Sequence, residues 1–252
     1  MHVHLPKPLH GWREFAGEVG IIVVGVLIAL AAEGLVERWH WQRQVSQANA
    51  AFKDELLQFA YFAYERQALQ PCLNGRLQVL ASQLNESDPR WRAMQERFYG
   101  ATRYYVAIMP VVYRPPTRPI FEDAWHNALA DGTINHLDRK QATTLSSAYE
   151  SIEAFKDDQD QEGTTESLLS PLGADRAIDE QTRIEMLQTV AQLDRINGLM
   201  VTETRDFLTS MKSLDLGITP KDADAIREDV LQTQRNYRGK CVAAPPLDLG
   251  GN

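Results

Sequence analysis

The longest uninterrupted run of apolar residues lies close to the N-terminus of the chain. Residues 19–32 read VGIIVVGVLIALAA, without a charge or a proline. Apolar flanks lengthen this run to residues 15–36, with Glu18 and Glu33 near its two ends. Because a helix needs roughly 20 apolar residues to cross a bilayer, the pattern predicts a transmembrane helix over residues 15–36.

Tryptophan residues flank this stretch on both sides, Trp12 before it and Trp39 and Trp41 after it. Trp12 and Trp39 would lie about 40 Å apart on a helix, close to the thickness of a bilayer with its headgroups. Tryptophan prefers the membrane interface because its ring is apolar and its N–H is polar. The lipid bilayer is therefore the first partner that the sequence predicts.

A cleaved signal peptide is the competing interpretation of the same stretch. Lys7 and Arg13 form a basic start, and residues 29–31 (ALA) fit a cleavage site. The helical pattern nevertheless continues past Ala31 without a break, and the tryptophan pair after the span has no purpose in a secreted protein. We therefore favour a retained anchor.

Charge alone does not orient the predicted span, since Lys7 and Arg13 before it are balanced by Arg38 and Arg43 after it. Long domains cross a membrane largely regardless of nearby charge. The signal-like start and the presence of two cysteines favour an N-terminus in the cytoplasm. The prediction is a single-pass membrane protein whose C-terminal domain lies outside the cytoplasm.

Small residues within the span predict a surface on which another helix packs. Ala16 and Gly20 are four residues apart, as are Gly25 and Ala29, and this spacing lets helix backbones approach closely. Glu18 either extends to the headgroups or contacts a partner helix. We expect membrane packing by Glu18, Gly20, Gly25 and Ala29, and a homo-oligomer is one arrangement that would use them.

Beyond the span, the spacing of apolar positions alternates between four and three residues, as on one face of a helix. It predicts a long helix that continues the anchor and ends at Pro71, then a shorter helix. Residues 91–99 predict a brief helix. The proline-rich residues 104–119 predict an extended segment, which is either a strap across the helices or a segment that binds a partner. The positions on the helical face are Val45, Asn49, Phe52, Leu56, Phe59 and Ala63 before Pro71, and Leu73, Leu77, Leu80 and Leu84 after it.

Helical spacing resumes in the second half of the chain. Residues 120–130 predict a helix followed by a turn at Asp131 and Gly132, and Pro220 opens the last helix. Another helix carries Leu145, Tyr149, Ile152 and Phe155. The longest face consists of Met186, Val190, Leu193, Asn197, Met200, Thr204, Phe207, Met211 and Leu214. Asn197 and Thr204 are polar residues at core positions, where such residues set the register of packed helices.

These elements together predict an all-α fold, in which an N-terminal transmembrane helix continues into an antiparallel helical bundle with one proline-rich extended segment. The predicted organisation is a short N-terminal tail (1–14), the anchor (15–36), the helical bundle domain (37–240) and a C-terminal tail (241–252).

The composition and the motifs of the chain indicate no specific catalytic or binding chemistry. The 252-residue chain has a net charge of −8, whereas a nucleic-acid-binding protein usually has a basic face. Phosphate-binding, dinucleotide-binding, serine-hydrolase and zinc-protease motifs are all missing from the sequence. Residues 158–163 (DQDQEG) copy the start of a calcium loop, but Leu169 replaces the required glutamate, so we interpret them as a solvated helix end. We expect no enzyme activity, no cofactor, no metal and no nucleic-acid partner.

The two cysteines are more informative. Cys72 follows Pro71 at a predicted helix start, and Cys241 closes the last helical segment. In an oxidising compartment a bridge between them would close a very long loop, which is worth about 4–5 kcal/mol in the chain-entropy model. Two unrelated reduced thiols are the alternative, and we favour the disulfide Cys72–Cys241.

Two blocks of sequence resemble a known family. Residues 12–15 (WREF) with residues 18–30 (EVGIIVVGVLIAL) resemble the opening of a family of uncharacterised bacterial single-pass membrane proteins. Residues 121–137 (FEDAWHNALADGTINHL) resemble a second recurring element, a tryptophan followed by a glycine turn and a leucine. The resemblance implies an N-terminal anchor helix with a helical extracytoplasmic domain, and it implies no activity.

The leading functional prediction is an envelope protein that acts by protein–protein interaction, as a scaffold or an accessory subunit of a membrane complex. The alternative is an extracytoplasmic ligand-binding or sensory bundle. Because the predicted inside segment is only about 13 residues long, such a sensor would need a partner subunit to signal.

Overall fold

The computed structural model describes residues 11–86, 88–94 and 112–250, without the side chains of Gly11, Arg13 and Glu14. The predictions for residues 1–10, for the end of the brief helix at 95–99 and for residues 104–111 of the extended segment lie outside the described residues. The chain divides into two compact units, Met1–Ala48 and Asn49–Asn252.

Helices make up most of the described chain, which confirms the all-α prediction at the level of secondary structure. Five α-helices alternate with short 3₁₀ turns and one two-stranded ladder in the described ranges. The helices are α1 (Gly11–Leu84), α2 (Asp123–Ala130), α3 (Arg139–Ser167), α4 (Glu180–Met211) and α5 (Pro220–Arg238). The 3₁₀ turns are Thr133–His136, Ser170–Gly173 and Gly239–Cys241, and the strands are β1 (Arg90–Trp91) and β2 (Arg176–Ala177).

The first unit is formed by the N-terminal part of α1. Its apolar side chains at residues 19–30 are exposed, Ile21 by 76% and Ile28 by 64%. The strongly apolar stretch of this helix is long enough to cross a membrane, and none of it is buried inside the structure. Large exposed apolar surfaces of this kind generally mark sites that contact a membrane or another protein.

Helix α1 does not end at Pro71, so the prediction of two separate helices is wrong. Pro71 lies inside α1, and its ring is exposed to solvent. Proline has no N–H, so the carbonyl of Gln67, four residues earlier, loses its helical hydrogen bond. On the next residue, the backbone N–H of Ala243 donates to the carbonyl of Ala68 at 2.8 Å, which attaches the C-terminal residues to this turn.

The brief helix predicted over residues 91–99 is also wrong in its described part. Trp91 belongs to strand β1, which pairs antiparallel with β2. Its indole N–H donates to the carbonyl of Leu172 at 2.7 Å, and the ring is buried. This buried hydrogen bond between distant segments outweighs a weak local preference for helix.

Side-chain caps define where the later helices begin. Asp138 accepts the backbone N–H groups of Lys140 and Gln141 at the start of α3, and Asp179 accepts that of Thr182 at the start of α4. Helix α5 opens with a capping box of Thr219 and Asp222 around Pro220. These groups satisfy amides that have no partner within a helix, so each start agrees with its local sequence.

A layer of phenylalanines packs three helices of the second unit together. The ring of Phe59 on α1 lies edge-on to Phe155 on α3 at 5.2 Å and to Phe207 on α4 at 4.6 Å between centroids. Seven residues later, Arg66 of α1 contacts Glu162 of α3 and Asn197 of α4. Residue numbers therefore rise together in α1 and α3 and fall in α4, so α4 runs opposite to the other two.

Candidate functional site: a buried polar layer

Helix α1 is enclosed on all sides over one turn of its course through the second unit. Residues 63–66 are four consecutive buried positions, and two of them, Glu65 and Arg66, are charged. A helix that is buried all round is typical of the centre of a domain. Charged residues at such positions remain buried only where other groups pair with them.

Arg66 is the centre of a polar layer that we define as Arg66, Tyr113, Glu162 and Asn197. The Arg66 guanidinium donates from Nη1 to Oε2 of Glu162 and from Nη2 to Oε1, both at 2.7 Å. The same Nη2 also donates to Oδ1 of Asn197. The side chains of Arg66 and Glu162 are 0% and 1% exposed, so this bidentate pair is removed from water.

Tyr113 closes the polar layer from the extended segment. Its hydroxyl donates to Oε1 of Glu162 at 3.2 Å and accepts from Nδ2 of Asn197 at 2.6 Å. Burial, and then the charge of Glu162, raise the pKa of Tyr113 well above its usual range. Tyr113 therefore stays protonated at any physiological pH and acts as a fixed hydrogen-bond donor.

A second polar cluster forms around Glu65, the residue before Arg66 on α1. Glu65 accepts from Nε of Arg118 at 2.8 Å, from Nη2 of Arg118 at 2.5 Å and from Nε2 of Gln234 at 2.6 Å. The hydrogen bond to Glu65 is the main reason that the pKa of Arg118 is raised. Helix α5 and the extended segment are thus both held against α1 by one carboxylate.

The extended segment is anchored along its described part, residues 112–119. The chain stays non-helical as far as Glu122, so the helix predicted from residue 120 begins only at Asp123. Nε of Arg76 donates to the carbonyl of Val112 at 2.6 Å. The amide of Gln159 brackets the backbone of Arg118, accepting its N–H at 2.9 Å and donating to its carbonyl at 3.0 Å. Of the two interpretations offered by the sequence, these contacts support a strap across the helices.

The acidic stretch at residues 158–163 is not the solvated helix end that the sequence predicts. Helix α3 continues through it to Ser167, and Gln159 and Glu162 are buried. Glu162 is turned inward because it shares the inner face of α3 with Ile152 and Phe155, and because Arg66 pairs with its charge. Among the described residues, no group of three or more His, Cys, Asp or Glu side chains is arranged to hold a metal ion.

The two cysteines are joined in the structure. Cys72 and Cys241 form a disulfide with an S–S distance of 2.04 Å, across a sequence separation of 169 residues. The residues after Cys241 pack onto the domain, since the hydroxyl of Tyr64 donates to the carbonyl of Pro245 at 3.1 Å and Leu247 and Leu249 are buried. We call residues 241–250 the C-terminal strap.

The residues predicted for the membrane belong to the first unit. Glu18, Gly20, Gly25 and Ala29 are exposed, and a Cβ atom at either glycine would meet nothing within 4 Å. Trp12 is 80% exposed and Trp39 is 59% exposed. The Arg43 guanidinium lies 4.7 Å from the centre of the Trp39 ring, and the ring of His40 lies 5.5 Å from that of Trp41. The roles of all these residues in packing and at the interface remain predictions.

The side chains of the polar layer bond to one another, and their chemistry is that of a structural network. Glu162 is neutralised by Arg66, and the Tyr113 hydroxyl is held protonated. None of the four is a strong nucleophile, and the layer pairs no base with a nucleophile. The arrangement fixes the relative placement of α1, α3, α4 and the extended segment.

Comparison with known proteins adds no family: no family model matches the chain, and no curated protein or solved structure resembles it significantly. The resemblance of residues 12–30 and 121–137 to a bacterial membrane-protein family therefore remains a proposal.

Proposed function

We propose that this chain is a single-pass protein of the bacterial inner membrane whose helical domain lies in the periplasm and acts by binding other proteins. In this proposal, residues 15–36 cross the bilayer and the chain continues into a helical bundle. Its role would be that of a scaffold or an accessory subunit of a membrane complex, in which a homo-oligomer is one form.

The exposed apolar helix of the first unit carries the proposal. Side chains such as Val24 and Leu27 are 54% and 59% exposed, and similar residues surround them on every face of the helix. Burial in hydrocarbon would remove this whole surface from water, at about 25 cal/mol for each Å². An amphipathic helix of a soluble domain would instead have one polar face.

The disulfide supports the proposed side of the membrane. Bonds of this kind persist in the periplasm and other oxidising compartments, and they are rare in the cytosol. Cys72 and Cys241 both belong to the second unit, so one compartment must contain both. Export of the domain across the membrane, with the apolar helix as the signal for insertion, would account for both the helix and the disulfide.

The interior of the domain supports binding at its surface more than at a buried site. Arg66 donates hydrogen bonds to Glu162 and Asn197, and the hydroxyl of Tyr113 donates one to Glu162. A buried ligand would have to displace these bonds, and leaving a charge of the pair uncompensated costs several kcal/mol. The alternative of a ligand-binding or sensory bundle thus requires a site elsewhere in the protein.

Extraction of membranes with carbonate tests the anchor. The wild-type protein should stay in the pellet, whereas a Val24→Asp/Ile28→Asp variant should move to the soluble fraction because two charges enter the apolar stretch. Val79→Asp is the matched control, since Val79 is an apolar residue of the same helix that is 46% exposed in the second unit. Release of the wild-type protein by carbonate would reject the anchor.

Reporter fusions after Asn252 test the orientation. A periplasmic phosphatase should be active there and a fluorescent cytoplasmic protein should be dark. The opposite pair of results would place the domain in the cytoplasm.

Purification from detergent-solubilised membranes separates the two functional candidates. A stoichiometric protein that co-elutes with the wild type supports the scaffold or accessory role. A bound small molecule without a protein partner, detected by mass spectrometry of the intact protein, supports the sensory alternative.

A further inference from the structure

Two carboxyl groups meet between α3 and α4, beside the polar layer but not part of it. Asp158 on α3 and Glu203 on α4 lie between the level of Phe155 and Phe207 and the level of Glu162 and Asn197, where the two antiparallel helices face each other. Oδ2 of Asp158 and Oε2 of Glu203 are buried, and no hydrogen-bond donor in the described part of the chain reaches either oxygen. Because an ionised carboxylate can only accept hydrogen bonds, the two groups can bond to each other only when one of them carries a proton.

The surroundings of the pair oppose a second negative charge. Arg66 is the positive group that faces Glu203 from α1, and it already pairs with Glu162. Arg195 is the positive group that faces Asp158. The like charges that face the pair are Asp157 and Glu162 on α3 and Asp206 on α4.

We propose that Asp158 and Glu203 share one proton and form a pH-sensitive clamp between α3 and α4, which is closed while the proton is held and loosened when it is lost. Two neighbouring carboxyl groups with buried oxygens cannot both ionise without strong repulsion. Helices α3 and α4 are in contact along the second unit, so this repulsion acts directly on the seam between them. In a domain outside the cytoplasm, the clamp would respond to the pH of the surroundings.

The direction of the pH effect follows from linkage. Burial, and then the neighbouring Asp158, raise the pKa of Glu203 from 4.5 to about 7. Between these two pH values the folded protein holds a proton that the unfolded chain has released. The stability of the fold therefore falls as the pH rises from about 4.5 to about 7, and this contribution levels off above that range.

Apart from Asp158, which belongs to the clamp, the other displaced acid groups are shifted away from this window. Burial and Asp229 raise the pKa of Tyr61 to about 12. Hydrogen bonds lower the pKa values of Asp179, Asp222 and Asp248 below 3.8. A change of stability near neutral pH that depends on Glu203 is thus specific to the clamp.

The test is urea unfolding of the full chain in detergent, with the disulfide intact, at pH values from 5 to 8. The unfolding midpoint of the wild type should fall with rising pH. Between pH 5 and 7, the equilibrium constant for folding should fall by up to about tenfold for each pH unit. Glu203→Gln should give a flatter profile, because its amide donates to Asp158 without a titrating proton. Asp194→Asn removes an exposed carboxylate from the same helix and should keep the wild-type slope.

A spectroscopic measurement covers the case in which Glu203→Gln fails to fold. Infrared difference spectra of the wild type between pH 6 and pH 8 should show the loss of a protonated carboxyl band. Asp158→Asn should remove that band, since its amide donates to an ionised Glu203. A wild-type protein without a protonated carboxyl at pH 6, or equal slopes in the wild type and Glu203→Gln, would overturn the proposal.

Discussion

Arg66 is the residue that organises the interior of the second unit. It connects α1 to α3 through Glu162 and to α4 through Asn197, at a point where its side chain is completely buried. Buried pairs of this kind add little net stability over apolar residues of the same size, because desolvation offsets their attraction. We expect the pair instead to favour the register in which these turns of three helices lie side by side.

Removal of one partner of this pair should be costly. Arg66→Met leaves the charge of Glu162 buried and alone, so we expect a loss of about 3–5 kcal/mol in the free energy of unfolding. Glu162→Leu should cost a similar amount, and the double variant should lose much less than the sum of the two. Urea denaturation of all three variants measures the coupling.

The exposed pair of Arg227 and Asp224 on α5 is the control for this cycle. The two side chains are about half exposed, so Arg227→Met and Asp224→Asn should change stability little and should show little coupling. Additive losses at Arg66 and Glu162 would contradict the description of the pair as a buried ion pair.

Gly250 makes a second prediction at the scale of the residue. Its φ is 75°, and an added Cβ would lie 2.8 Å from the backbone oxygen of Lys212. Gly250→Ala should therefore strain the C-terminal strap and lower the thermal midpoint. Gly163→Ala is the matched control, because a Cβ there meets nothing within 4 Å and the site is inside α3. It should raise stability by about 0.5–1 kcal/mol, and the same sign at both sites would contradict the geometry.

At the scale of the element, the spacing of the core positions in α1 continues regularly through Arg66 and past Pro71. The four-and-three alternation from Val45 to Ala63 reaches Leu73 without a change of register if Arg66 and Gln70 fill the two intervening positions. A charge at position 66 and a proline at position 71 conceal this continuity. The register alone thus contains the signal for a single helix and for the burial of Arg66.

Other features of the site could not be predicted from the sequence. The chain has 34 acidic residues, and nothing local singles out Glu162 as the partner of Arg66. That pairing depends on how α3 packs against α1, at a separation of 96 residues. The positions of Tyr113 and Arg118 in the extended segment are likewise set by partners that are distant in the sequence. By contrast, the start of α5 at Pro220 and the inner face of α4 from Met186 to Met211 follow from local spacing and capping, and both are as predicted, although Leu214 lies beyond the end of the helix.

Pro71 leads to a prediction about the same helix. Pro71→Ala restores a backbone N–H in the interior of α1 and removes the crowding of its ring. Since proline costs about 3 kcal/mol more than alanine in a helix interior, we expect a gain of up to about 3 kcal/mol. Thermal unfolding of the variant measures it.

Pro220→Ala provides the contrast for that experiment. Pro220 is the first residue of α5, where its fixed φ suits the helix and no hydrogen bond is lost. Its replacement should leave stability unchanged or slightly lower. A loss of stability in Pro71→Ala would mean that the disturbed turn is needed to dock the C-terminal strap.

At the scale of the whole molecule, an apolar helix and a disulfide-closed helical domain belong to one chain. The bond between Cys72 and Cys241 encloses most of the second unit. In the chain-entropy model its loss should lower the free energy of unfolding by about 5 kcal/mol, through the unfolded state. Cys72→Ser and Cys241→Ser should each have this effect, and the double variant should be no worse than either one.

The central claim is that the helical domain lies outside the cytoplasm with its cysteines joined. The most direct measurement is the thiol state of the full-length protein taken from intact cells, quenched with acid and denatured in an alkylating reagent. Mass spectrometry should find no alkylated cysteine before reduction and two afterwards. Two alkylated cysteines before any reduction would contradict both the bridge and the proposed compartment.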